Sequence, residues 1–173
     1  MAVLPIITAP DKRLKVKSDL IAFVDADIAT LMEDMLETMY LAPGVGLAAP
    51  QVGITKRIIV VDVGKTEEER KPYCMANPEL VWASEGVSVH EEGCLSLPEH
   101  YADVERPECI RVKYIDETNN ERMLEAQGLL ATCIQHEIDH LDGVLFVDHL
   151  TPLKRNMIIR KLQKSKKMKA VAE

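Results

Sequence analysis

The stretch CIQHEIDHLDG, residues 133–143, sets His136 and His140 four positions apart with Glu137 beside the first. Four residues are slightly more than one helical turn. The two imidazoles therefore leave the same face, roughly 6 Å apart along the axis. Two neutral imidazoles so placed can share one divalent cation, and Glu137 can take a proton from water that such a cation activates. The third ligand decides the class. Gly143 extends the pattern to His-Glu-x-x-His-x-x-Gly, but proteases of that pattern need a histidine where this chain has Phe146. Proteases with a glutamate downstream would have only Glu173, the last residue of a basic tail. Asp148 and His149 stay open as downstream donors, although Gly143 marks the helix end before them.

Upstream, Cys133 shares the histidine face. It lies about 7–8 Å along the axis from a cation between the histidines, too far for a cysteine side chain, and reads as a pocket wall. Cys74 and Cys109 stand in strand-like runs and read as small core residues. Cys94 stands in HEEGCLSLPEH, where Gly93 frees the backbone and Pro98 closes the turn. A thiolate there completes a Cys-His-His site whose fourth position is open, as a catalytic cation requires. A second segment, GVGLAAPQVG (44–53), loosely matches a dinucleotide fingerprint, but that motif needs a strand before it and a helix after it. Here the order is reversed. The segment reads as a loop whose bare backbone approaches a substrate, with Gln51 offering an amide donor to a carbonyl that gains negative charge.

The elements that must position these groups follow from periodicity. VDADIATLMEDMLETMY places Ile28, Leu31, Met32, Met35 and Met39 at helical spacing, with Asp25 or Asp27 as cap and Pro43 beyond its end. RIIVVDV (57–63) reads as a strand and KTEEERK as a charged turn. Short extended pieces are expected near Tyr73–Met75, Gly86–His90, Cys109–Ile115 and Arg122–Gln127, the last two joined by the turn DETNNE. From Gly128 one helical stripe carries Leu130, Ile134, Ile138 and Leu141, and another carries Leu129, Cys133, His136 and His140. Gln135, Asp139 and Asp142 form a polar stripe, and the helix is expected to be central. Thr151 and Pro152 open a last helix as N-cap and first residue. The expected class is α+β: a mainly antiparallel sheet packed around a central metal-binding helix, with an N-terminal and a C-terminal helix.

The 173 residues suffice for one domain with a substantial core, and the net charge is −7. No apolar run approaches the ~18 residues of a membrane span, and MAVLPII is too short for an export signal, so no membrane partner is expected. The four cysteines then point to free thiols or metal ligands in a reducing cytoplasm. Residues 151–173 hold eight basic residues and Glu173, a net +7, which leaves −14 for the remainder. A basic tail on an acidic body suits a polyanionic partner, and equally a solvated helix face.

GVGLAAPQVG, EEGCLSLP and QHEIDHLDG, in that order, resemble the peptide deformylase family. APDKRLK (9–15) is similar to the family's opening segment, and the basic C-terminal helix resembles that of a bacterial subclass. The resemblance implies hydrolysis of the formyl group from N-formylmethionine on newly made polypeptides, with release of formate. It implies Cys94, His136 and His140 as ligands and Glu137 as proton shuttle. Gln51 and the backbone N–H of Leu95 become donors to the tetrahedral oxyanion. The implied cofactor is one divalent ion, natively Fe²⁺, with Zn²⁺, Ni²⁺ or Co²⁺ able to occupy the site. Methionine needs an apolar slot, for which Val45, Leu129 and Cys133 are candidate walls. Substrate backbone could add as a strand along Val45–Gly46 and along Glu92–Gly93. Tyr101 departs from the pattern, since many relatives carry arginine there. Residues 1–150 are expected to form the catalytic unit and 151–173 a basic tail of the same domain, suited to the ribosome rather than to DNA. The rival readings are a zinc endopeptidase and a structural metal site closed by His90, His100 or His149.

Overall fold

A computed structural model describes residues 2–172; Glu173 lies outside the described residues. The order is α1 (Ala26–Leu41), β1 (Gly46–Ala48), β2 (Ile58–Val61), β3 (Tyr73–Ala83), β4 (Val87–Cys94), β5 (Leu97–Pro107), β6 (Cys109–Ile115), β7 (Glu121–Gln127), α2 (Gly128–Leu141) and α3 (Pro152–Ala172). The class is α+β, with every strand pairing antiparallel. One sheet runs β1-β2-β3-β6-β7, and β4 with β5 forms a separate ribbon.

Residues Ile58–Val61 show why the sheet is covered on both faces. All four are fully buried, and alternate side chains on a strand point to opposite sides. Ile58 and Val60 pack with Met32, Met35 and Met39 of α1. Ile59 and Val61 pack with Ile134, Ile138 and Leu141 of α2. The unbranched, polarizable methionines fill an irregular contact that stiffer side chains would leave with gaps. Asp25 starts α1, its carboxylate accepting from the Ile28 N–H at 2.9 Å. Gly143 follows α2 at φ +75°, a conformation that favours glycine after a helix. Thr151 accepts from the Lys154 N–H at 3.3 Å ahead of Pro152.

The structure departs from the expected elements in four places. Gly46–Ala48 is an edge strand on β2, and a single 3₁₀ turn follows over Ala49–Val52, so GVGLAAPQVG is only partly loop. β3 runs to Ala83 instead of stopping near Met75, with its far half exposed. Residues 97–107 form β5, which hides in the sequence because it opens with Leu-Pro and carries polar residues throughout. Pro98 therefore lies inside a strand, and Cys94 ends β4 and pairs with Leu97 instead of sitting in a loop. The polar stripe of α2 is not solvated in its first half: Gln135 is buried and donates to Pro107 O at 3.0 Å, which ties α2 to the end of β5.

Candidate metal centre and cavity

The β4–β5 turn and helix α2 meet at one point. Sγ of Cys94 and one ring nitrogen from each of His136 and His140 all lie within 4.8 Å of one another. Cys94 Sγ stands 3.3 Å from His140 Nε2. The imidazole planes cross at 69° with centroids 5.0 Å apart, so neither blocks the other. Among the described residues this is the one convergence of three such donors. Asp148 and His149 are absent from it. Asp148 accepts from Arg155 Nε at 2.7 Å and from the Leu145 N–H at 2.9 Å, and His149 lies 2.8 Å from Asp139.

Glu92 sets the direction of His136. Its Oε1 lies 2.8 Å from His136 Nδ1, which turns Nε2 toward Cys94. Arg106 grips the same carboxylate with two bonds, at 2.6 and 2.9 Å, and reaches Asp139 at 2.8 Å. Burial raises the Glu92 pKa, but the bonds from His136 and Arg106 outweigh it and hold the carboxylate below its usual range. His140 is the reverse case. Burial and the neighbouring His136 hold it well below the usual imidazole range, so it is a neutral donor. One sulfur and two imidazole nitrogens suit a borderline-soft divalent cation, and the contact with Glu92 that orients His136 fits that use.

Glu137 is 4% exposed. Its Oε1 is 3.9 Å from His136 Nε2, and its Oε2 has no partner. Burial pushes its pKa up to about 7, against the pull of His136. A carboxyl poised near neutrality beside a cation site is suited to moving protons. Gly46 is required for this arrangement. A Cβ there would meet Cys133 Sγ and Glu137 Oε1 at 2.8 Å each, so only glycine lets β1 lie this close to α2. Gln51 is 1% exposed on the 3₁₀ turn. Its Oε1 accepts from the Ala48 N–H at 2.9 Å, which directs Nε2 to Ser96 Oγ at 3.0 Å and Cys94 Sγ at 3.5 Å.

These groups floor a cavity of about 430 Å³. Val45, Gly46, Gln51, Glu92, Gly93, Cys94, Leu95, Tyr101, Leu129, Cys133, His136 and Glu137 all line it, while His140 sits behind, almost fully buried. Cys133 Sγ lies 3.5 Å from Val45 O, and burial pushes its thiol well up, so it stays neutral. The Tyr101 ring lies across Gly93, where an added Cβ would meet it at 2.4 Å. Sequence reasoning missed the buried Arg106, and the half-buried Asp139 that it reaches, behind the histidines. It took Glu92 for a backbone contact, whereas its side chain is the partner of His136. No local pattern announces a pair 14 residues apart on two strands.

The polypeptide deformylase family model matches residues 3–156. The chain belongs to the polypeptide deformylase family. A peptide deformylase of Methylocella silvestris is 54% identical, over 98% of this chain and 88% of its own length. The crystal structure of peptide deformylase from Ehrlichia chaffeensis superimposes with a TM-score of 0.93 at 42% identity, covering 98% of this chain and 99% of that one. The Ehrlichia deformylase in complex with actinonin gives 0.90 at 44% identity, over 95% and 98%. Deformylases are metal-dependent enzymes that act on nascent polypeptides. No helix here is long and apolar enough to cross a membrane.

Proposed function

We propose that Cys94, His136 and His140 hold one divalent cation, Fe²⁺ in the native protein, at the centre of a deformylase site for the formyl group of N-formylmethionine on newly made polypeptides. The observation that carries this reading is the convergence of the three donors within 4.8 Å on the floor of an open cavity, beside a buried carboxyl. Bound there, the cation supplies Lewis acidity for a carbonyl and lowers the pKa of water. The protein's own groups do the rest. Glu137 takes the proton of the attacking water and passes it to the departing amine as the C–N bond breaks, leaving formate and a free amino terminus. Gln51 Nε2, aimed by the Ala48 N–H, and the backbone N–H of Leu95 donate to the oxygen that gains charge. Val45, Leu129 and the neutral Cys133 accept the methionine side chain. The edges at Val45–Gly46 and Glu92–Gly93 take the substrate backbone as an added strand.

Space separates this reaction from internal peptide cleavage. A formyl carbon carries only hydrogen beyond its carbonyl, whereas an acyl residue would need room beside Cys94 and the 44–51 segment. Methionine burial contributes up to ~2 kcal/mol on the other side. The test is a matched set of Met-Ala-Ser peptides bearing formyl, acetyl or a preceding residue. Formate from the first alone is expected; comparable cleavage of the third would make this a protease. Metal analysis on the same anaerobic sample should find iron, with activity lost in air. We read residues 1–150 as the catalytic unit and 151–173 as a basic tail of the same domain that docks on ribosomal RNA. The tail's net charge of +7 supports this. The cytoplasm, where nascent chains and reduced thiols are found, is the compartment that this reading requires.

A further inference from the structure

Asp62 follows β2 directly and is 2% exposed. Its N–H donates to Val45 O at 2.8 Å. Its carboxylate accepts from the Tyr40 hydroxyl near the end of α1 through Oδ2. Oδ1 accepts from the N–H groups of Gly64 and Lys71 at 3.0 and 3.1 Å. Burial raises the Tyr40 pKa and Asp62 adds to the rise, so the hydroxyl keeps its proton and donates. The Arg70 guanidinium lies over the Tyr40 ring, 4.1 Å from its centroid, and steadies it. Asp62 thus pins both ends of the span Leu41–Gly44: Tyr40 by its side chain and Val45 by its backbone. That span brings Pro43 and Gly44 into the cavity wall.

The bond to Val45 decides where Gly46 points. In an antiparallel pair, residues alternate between bonding each other and turning their N–H and C=O outward. Val45 bonds Asp62, so Gly46, opposite Val61, turns its N–H and C=O away from β2. Ala48, two residues on, does the same, its N–H reaching Gln51 Oε1 at 2.9 Å. β1 is an edge of the sheet and Gly46 lines the cavity. Its two polar groups therefore face the space that a bound chain would fill.

We propose that Tyr40 and Asp62 are positioning residues for the substrate, acting through Val45 to present the Gly46 N–H and C=O to its backbone. This rests on the deformylase reading above. Neither side chain lines the cavity, so the pair acts at one remove. Loss of the Tyr40 hydroxyl leaves Asp62 Oδ2 without its donor. A buried carboxylate oxygen without a partner turns to find one, and the backbone that holds Val45 moves with it. The edge bonds are made alike to bound substrate and to the reacting state, so their loss falls in KM and spares kcat. A hydrogen bond to a charged group is strong enough for an effect on the order of tenfold.

The experiment uses the metal-loaded full chain with formyl-Met-Ala-Ser, following formate. Tyr40→Phe should raise KM on the order of tenfold, with kcat held within about twofold and metal content unchanged. Asp62→Asn keeps the backbone bond to Val45 but weakens the acceptor, and should act in the same direction. Combined with Tyr40→Phe it should cost less than the two single effects together, because both break one link. Hydrogen exchange at the Asp62 amide, followed without substrate, should quicken in Tyr40→Phe. Asp116→Ala is the control, since Asp116 holds the β6–β7 turn through Thr118 and Asn120, outside the cavity. It should lower stability and leave KM alone, and Tyr40→Phe would do the same if its role were merely structural. A wild-type KM in Tyr40→Phe, a loss confined to kcat, or unchanged exchange at Asp62 would overturn the positioning role while leaving the deformylase reading intact. No formate from the wild-type chain would overturn that reading itself.

Discussion

Removing the guanidinium of Arg106 tests whether the site rests on the charge cluster behind it. Arg106 and Glu92 are each 5% exposed at the side chain, and Asp139 is 25% exposed. Arg106→Met deletes two bonds to Glu92 and one to Asp139. It leaves a buried carboxylate with His136 Nδ1 as its one remaining side-chain partner. Breaking a buried pair by removing one member costs about 3–5 kcal/mol, mostly because the remaining charge is stranded. For a chain of this size that is roughly a 6–20 °C fall in melting temperature. The stranded charge can be tested directly. Glu92→Gln in the same chain removes it yet keeps an amide oxygen for His136, so the double variant should recover at least half of the loss. Urea unfolding of the metal-free protein gives the stabilities, free of any contribution from bound cation. Metal titration then reports the looser His136 as about 10- to 100-fold weaker binding in Arg106→Met. A loss under about 1 kcal/mol, or costs that simply add in the double variant, would refute the stranded-charge account.

Other outcomes follow from single groups. Glu137→Gln should keep about one cation per chain and lose on the order of 10²-fold or more in turnover; metal loss from a folded variant would make Glu137 a ligand instead. Cys94→Ala should abolish metal binding while Cys133→Ala keeps it, and the reverse pattern would reassign the sulfur. Asp116 accepts from Thr118 N, Thr118 Oγ1, Asn120 N and Arg122 Nε. Burial raises its pKa, but these bonds, with Arg122 foremost, hold it far below the usual carboxylate range. Its contribution is therefore complete above about pH 4 and lost as pH falls toward the depressed value. Asp116→Ala should cost about 1–3 kcal/mol at neutral pH, and a gap that stays constant into acid would count against this. Residues 165–173 should be removable with hydrolysis of a short peptide intact and salt-sensitive ribosome binding reduced. Cutting at 155 would also remove Leu162, which is 4% exposed against Phe146 and Val147, and so would confuse docking with unfolding.

What could be read ahead of the structure was whatever is local. His136, Glu137 and His140 lie on one helix, whose period follows from 3.6 residues per turn, so their common face is legible from spacing alone. The apolar strand at Ile58–Val61 and the cap at Asp25 are local in the same sense. β5 was not legible, because its side chains face two environments at once. Leu97, Val104 and Arg106 turn inward, while Tyr101, Asp103 and Glu105 face water, and proline at position 98 imitates a turn. Cys94 came into view by elimination among four cysteines, but its position at a strand end depends on a pairing with Leu97 that no local rule supplies. Arg106 is the extreme case. An arginine among exposed acids on a ribbon reads as solvated until the strand register turns it inward. There it meets Glu92 from the neighbouring strand and Asp139 from α2. The helical motif states which atoms can bind a cation, and contacts distant in the chain decide whether those atoms are held still enough to do so.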